Sequence, residues 1–160
     1  MFARRAVRIW DIAIYNRDHQ LVVVVEVKAK LNASPEWAAQ LRSNIFAHGI
    51  FPKAPYFLMA FPDKFYLWTA TIEQSEKSEP TYTIDARPIL DSYFEKAGVS
   101  ANQITGRSLE LIVASWLGKL IHAEQLPEFE QSQPWLIESG LYAAIAGGHF
   151  EREVRHEYLR

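Results

Sequence analysis

Three charged residues stand in stretches that are otherwise apolar: Asp11 in residues 7–15, and Glu26 and Lys28 in residues 21–28. Strand interiors rarely hold charges unless those charges have partners or a task. Phosphodiester hydrolysis needs a nucleophilic water and neutralisation of charge on the phosphate, and two carboxylates with an ammonium are one set that can serve both. The carboxylates can hold Mg²⁺, which prefers oxygen donors and keeps several of its waters. The ammonium can orient an attacking water and stabilise charge developing on a phosphate. Two nearby carboxylates repel, which raises at least one pKa until a cation arrives.

The elements that must position these groups are two β-prone runs joined by the polar segment Asn16-Arg17-Asp18-His19-Gln20. Apolar β-branched runs on either side of a short Asn/Asp-bearing turn read as a hairpin. Successive side chains on a strand point to opposite faces. Val22, Val24, Glu26 and Lys28 therefore share one face, and Leu21, Val23, Val25 and Val27 the other. Both faces are apolar ahead of Glu26, so this strand is central and covered on both sides. If Asn16 pairs with His19, Asp11 lies opposite Val24 and diagonal to Glu26. A one-residue slip sends Asp11 to the other face. The sequence favours neither register.

After the hairpin, Ser34 and Pro35 mark a helix start that runs to about residue 47 or 48, with Trp37, Leu41 and Ile45 as its apolar stripe and Gly49 as its stop. Residues 56–61 and 64–69, split by Pro62-Asp63, read as a second hairpin. A strand, a crossover helix and a strand form a βαβ unit, with the first strand of this second hairpin parallel to residues 21–28. Residues 73–80 are a polar loop, and 82–84 a short edge strand. The remainder reads as helical: 88–96 closed by Gly98, 108–124 with a broad stripe from Leu109 to Ile121, and 134–146 stopped by Gly147-Gly148. The charged tail, 149–160, is expected to fray.

An Asp on one strand, Glu-x-Lys on the next and then a crossover helix resembles the PD-(D/E)XK nuclease superfamily, which has the restriction-endonuclease-like fold. The matching residues are Asp11, Glu26 and Lys28; Gln40 stands where many members place a helix glutamine. The resemblance covers roughly residues 7–69. It implies a Mg²⁺-dependent endonuclease acting on DNA, with Mn²⁺ as a substitute ion. Asp11, Glu26 and the Val27 carbonyl would be metal ligands, Lys28 would orient the water, and Gln40 would hydrogen-bond to the water or to Lys28. Trp10 replaces the proline of many members. Only ten residues precede Asp11 and none is acidic, whereas a helix and a further strand usually come first. The expected fold is thus an N-terminally shortened, restriction-endonuclease-like α/β core at 1–84, with a helical extension at 85–160 packed upon it. A catalytically silent member of the same fold, serving as a DNA- or protein-binding or assembly module, is the alternative.

Composition narrows the field further. Net charge is −2, so any nucleic-acid contact must be local; Arg4, Arg5 and Arg8 are the candidates near the amino terminus. With no cysteine there is no disulfide, thiolate nucleophile or cysteine zinc site. The five histidines lack metal-ligand spacing. No apolar run approaches a membrane span, and a cytoplasmic protein is the default expectation. A bare apolar edge at 7–15 and a wide stripe at 108–124 lead to an expected homodimer that hides both.

Overall fold

The computed structural model describes residues 5–47, 54–69, 78–123 and 132–159, with 5–9 and 153–159 as backbone alone. In chain order the elements are β1 (Arg5–Tyr15), β2 (Leu21–Val27), α1 (Pro35–Ala47), β3 (Tyr56–Ala60), β4 (Lys64–Thr69), β5 (Tyr82–Asp85), α2 (Arg87–Ala97), α3 (Gly106–Ile121), α4 (Pro134–Glu138), α5 (Leu141–Ile145) and β6 (His149–Leu159). The six strands form one mixed sheet in the order β5-β4-β3-β2-β1-β6. Only β2 and β3 pair in parallel, joined through α1; the other neighbours are antiparallel. The chain is thus an α/β fold, and among the described residues no helix is long and apolar enough to cross a membrane.

The sheet is covered on both faces, as the apolar runs of its central strands require. On one side Val23, Val25, Val27, Leu58, Phe65 and Leu67 pack with α2, α3, α4 and α5. On the other, Val24, Phe57, Met59, Tyr66 and Trp68 pack with Ala38 and Ala39 of α1. The expected α1 stripe is displaced. Trp37 is exposed and Leu41 and Ile45 only partly buried, while Ala38, Ala39 and Arg42 face the sheet. The aromatic side chains rising from β3 and β4 fill this layer, leaving room for alanines beneath the helix.

Two further expectations are corrected. Residues 134–146 are not one helix: Gly140, at φ 79°, breaks them into α4 and α5. A side chain there would meet the Tyr56 hydroxyl at 2.9 Å as well as the unfavourable φ. The tail does not fray and the second half is not purely helical. Residues 149–159 form β6, which pairs with β1 from Arg5↔Leu159 to Tyr15↔His149. Its alternating charged residues conceal a strand whose stability comes from a long partner.

β6 supplies the cover that β1 needs. The α3 stripe is also consumed internally: Trp116 meets Phe65 at 5.2 Å and Trp135 at 6.2 Å. The two apolar surfaces on which the expectation of a homodimer rests are therefore both covered within one chain.

β6 is held to α3 by an ion pair between Arg152 and Glu110, whose side chains are 32% and 8% exposed. The asymmetry makes a prediction, because a carboxylate left buried without its partner costs more than a guanidinium left beside water. Arg152→Ala should lower the unfolding free energy by about 2–3 kcal/mol and Glu110→Ala by less, about 1 kcal/mol. Urea denaturation of both variants checks the order; a larger loss for Glu110→Ala would contradict it.

Candidate functional site

The hairpin loop decides where Asp11 goes. The Asn16 N–H donates to the Gln20 carbonyl at 2.9 Å, and the Asn16 carbonyl accepts from the His19 N–H at 3.0 Å. Asn16 Oδ1 accepts from the N–H groups of Asp18 and Gln20 at 2.9 and 3.0 Å. The loop is therefore the three residues Arg17, Asp18 and His19, the last at φ 60°, followed by an irregularity that shifts the ladder. The register runs Tyr15↔Leu21, then Ile14↔Val23, Ala13↔Val24 and Ile12↔Val25. Neither register considered from the sequence is adopted. One further step would bring Asp11 to Glu26, but the ladder stops at Ile12↔Val25, and Asp11 meets β2 through its carboxylate, at Val27.

That step is where β1 and β2 part. The ladder between them ends at Ile12↔Val25, while β1 continues against β6 as far as Arg5. The Val27 N–H, which would have met a β1 carbonyl, donates instead to Asp11 Oδ2 at 2.7 Å. A residue in a strand directs its N–H and C=O to the same side, so the Val27 carbonyl also faces the split. On the other edge of β2 the Lys28 N–H donates to the Ala60 carbonyl at 3.0 Å, so the parallel pairing carries on past the last residue of the strand.

Among the sequence-derived candidates, Asp11 is half-buried, Glu26 is 3% exposed, Val27 is buried and Lys28 is exposed. Alternation between Val25 and Val27 sets Glu26 in the layer beneath α1, with Val24. Gln40 does not join them. It is exposed on α1, and its Nε2 donates to Asn44 Oδ1 at 3.0 Å. The helix residue that does face this layer is Arg42, with its guanidinium carbon 4.9, 5.6 and 5.2 Å from the ring centroids of Phe46, Phe57 and Trp68. Sequence reasoning missed it; the signal was the pair of alanines Ala38-Ala39 one turn earlier, which mark the buried face. Trp10 packs edge-on to Phe57 at 6.3 Å beside this layer. Among the described residues no group of three or more His, Cys, Asp or Glu gathers to hold a metal. Arg4, and the side chains of Arg5 and Arg8, lie outside what the structure describes.

At the same end of the sheet Asn32, Asp63, Lys64, Thr83, Ile84, Asp85 and Arg87 line an open cleft. Asp63 ties this end together: Oδ2 accepts from the Asn32 N–H at 3.1 Å, and its carbonyl accepts from the Ala86 N–H at 3.0 Å. Asp85 and Arg87 pair closely at 2.7 Å on the surface. The Arg87 hydrogen bonds lower the Asp85 pKa to about 2.

No family model matches the sequence, and neither a curated protein nor a solved structure matches the chain.

Two predictions follow from the geometry. Asp11→Ala removes the acceptor of a part-buried N–H and should cost about 1–3 kcal/mol. Asp11→Asn keeps a carbonyl oxygen there and should stay within about 0.5 kcal/mol of wild type. Equal losses in thermal or urea unfolding would contradict the Val27 contact. For Asp85, a folded pKa below the ordinary 3.8 means that the pair's contribution is present above that pH and is lost as pH falls through about 2. An NMR titration should place the Asp85 midpoint near 2 and return it toward 3.8 in Arg87→Ala; an unchanged midpoint would contradict the assignment.

Proposed function

We propose that the chain is a Mg²⁺-dependent nuclease that hydrolyses DNA phosphodiester bonds, in keeping with its resemblance to the PD-(D/E)XK superfamily. The observation that carries this reading is the Asp11 carboxylate held in the split between β1 and β2 by the N–H of Val27, the residue after Glu26. The donor set fits the ion: Asp11, Glu26 and the Val27 carbonyl are hard oxygen ligands, and Mg²⁺ keeps waters in its remaining positions. A carboxylate has about four acceptor sites, so the bond from Val27 leaves Asp11 with capacity for a cation. Bound there, the ion would supply an activated water and neutralise charge on the phosphate.

The side chains have separate tasks. Asp11 is held by the Val27 N–H and so presents its carboxylate without a search among rotamers. Glu26, buried under α1, would be the second carboxylate ligand of the ion. Lys28 lies two residues on, on the same side of the strand, with its backbone fixed to Ala60 and its ammonium in solvent. From there it orients water and meets the non-bridging oxygens of a phosphate. Gln40 has no task in this scheme.

A second reading is favoured by one observation. Glu26 and Arg42 are buried in the same layer, an arrangement in which the carboxylate serves packing and the fold acts as a silent binding or assembly module. A cleavage assay on plasmid and on labelled oligonucleotide DNA separates the two. The nuclease reading expects cleavage with Mg²⁺ or Mn²⁺ and none with EDTA, and a loss of about 10²–10³-fold in Lys28→Ala with the fold kept. Absence of cleavage with either ion, or equal rates in wild type and Lys28→Ala, would overturn it.

A further inference from the structure

Beyond Lys28, the loop from β2 to α1 and the first turn of α1 carry side chains that the catalytic scheme does not use. Of the five tryptophans, four are buried: Trp10 at 2%, Trp68 at 1%, Trp116 at 7% and Trp135 at 8% exposure, against 41% for Trp37. Trp37 is not a loose surface residue. Its N–H donates to Ser34 Oγ at 3.1 Å, which fixes it in the first turn of α1. Its ring meets Phe61 at 6.0 Å and 67°, so an edge contact anchors the indole. Lys30 Nζ lies 4.9 Å from the ring centroid. Lys28, Ala29 and Lys30 are all exposed, and Lys28 is two residues from Glu26.

We propose that Trp37, Lys30 and Lys28 form a subsite for one unpaired nucleotide of single-stranded DNA where the chain leaves Glu26 and Val27, with the base stacked on the indole and its phosphate on the lysines. The choice of polymer rests on the nuclease reading. The chemistry is that of a stacking platform, in which a held aromatic ring takes any base and nearby cations take the backbone. A ring already held by the edge contact with Phe61 loses little freedom on binding, and Lys30, which lies over that ring, moves from it to the phosphate as the base stacks. Two lysines, with acidic Glu36 adjoining, make a weak electrostatic site, so stacking supplies the discrimination between unpaired and paired DNA. In a duplex the bases are stacked on one another and offer no free face.

The experiment uses the full chain and a twelve-nucleotide oligo-dT in EDTA, where no cleavage complicates binding. Tryptophan fluorescence should be quenched saturably, in the fraction accessible to acrylamide. Anisotropy of a labelled oligo-dT gives the affinity independently. Trp37→Leu should weaken binding about 5- to 150-fold, Trp37→Phe by less, and Lys30→Gln should lower the salt dependence. For the one phosphate held by the lysines, the slope of log K against log salt is about −0.7. Unchanged affinity in Trp37→Leu, with its thermal melt preserved, would overturn the proposal, as would equal affinity for a twelve-base-pair duplex. Binding that depends on Trp37 without cleavage in Mg²⁺ would sink the nuclease reading and leave the subsite standing. Cleavage of single strands with KM unchanged in Trp37→Leu would do the reverse.

Discussion

The 2.7 Å bond from the Val27 N–H to Asp11 Oδ2 is the constraint on which the arrangement depends. A central strand cannot leave a buried N–H without an acceptor, because the desolvated group then costs the strength of a lost hydrogen bond. Where β1 turns away from β2, a side-chain carboxylate takes the place of a backbone carbonyl. The replacement satisfies the sheet and sets an anionic group at its split. β1 can turn away because β6 accompanies it over its full length, and β6 is fastened to α3 through Arg152 and Glu110. The fold's last strand thus fixes a residue near its first.

The layer beneath α1 carries a second constraint. Glu26 and Arg42 are both at or below 9% exposure among Phe57, Met59, Tyr66 and Trp68. The aromatic faces around Arg42 attract its cation. The Tyr66 hydroxyl donates to the Ala33 carbonyl and pins the loop that leads into α1. The position of the helix, and so of the cation over the sheet, is set by aromatic packing and one buried tyrosine.

Much of this was legible in the residues. The β1–β2 hairpin, the Ser34 cap, the crossover helix and the parallel β2–β3 pair follow from alternation, capping chemistry and Pro/Gly punctuation. The charges at 11, 26 and 28 were recognisable because apolar residues surround them, Trp10 and Ile12 beside Asp11 and valines beside Glu26. The register was not, since it turns on His19 adopting φ 60° and on a slip beside Tyr15, local events that leave no periodic trace. β6 was hidden because alternating charged residues satisfy an exposed edge strand as readily as a frayed tail; its partner, not its composition, makes it a strand. Gln40 was placed by analogy of position, and the helix turned out to present Arg42 instead, about half a turn away.

The central claim is that the β1–β2 split binds a divalent cation through Asp11 and Glu26. Paramagnetic Mn²⁺ added to ¹⁵N-labelled protein tests it directly, since broadening falls off steeply with distance from the ion. The account predicts that the amide signals of Val27 and its neighbours on β1 and β2 broaden first, at Mn²⁺ well below one equivalent, and that Asp11→Asn abolishes this while leaving the spectrum otherwise folded. Broadening confined to other surface carboxylates, with the Val27 amide untouched at one equivalent of Mn²⁺, would contradict it.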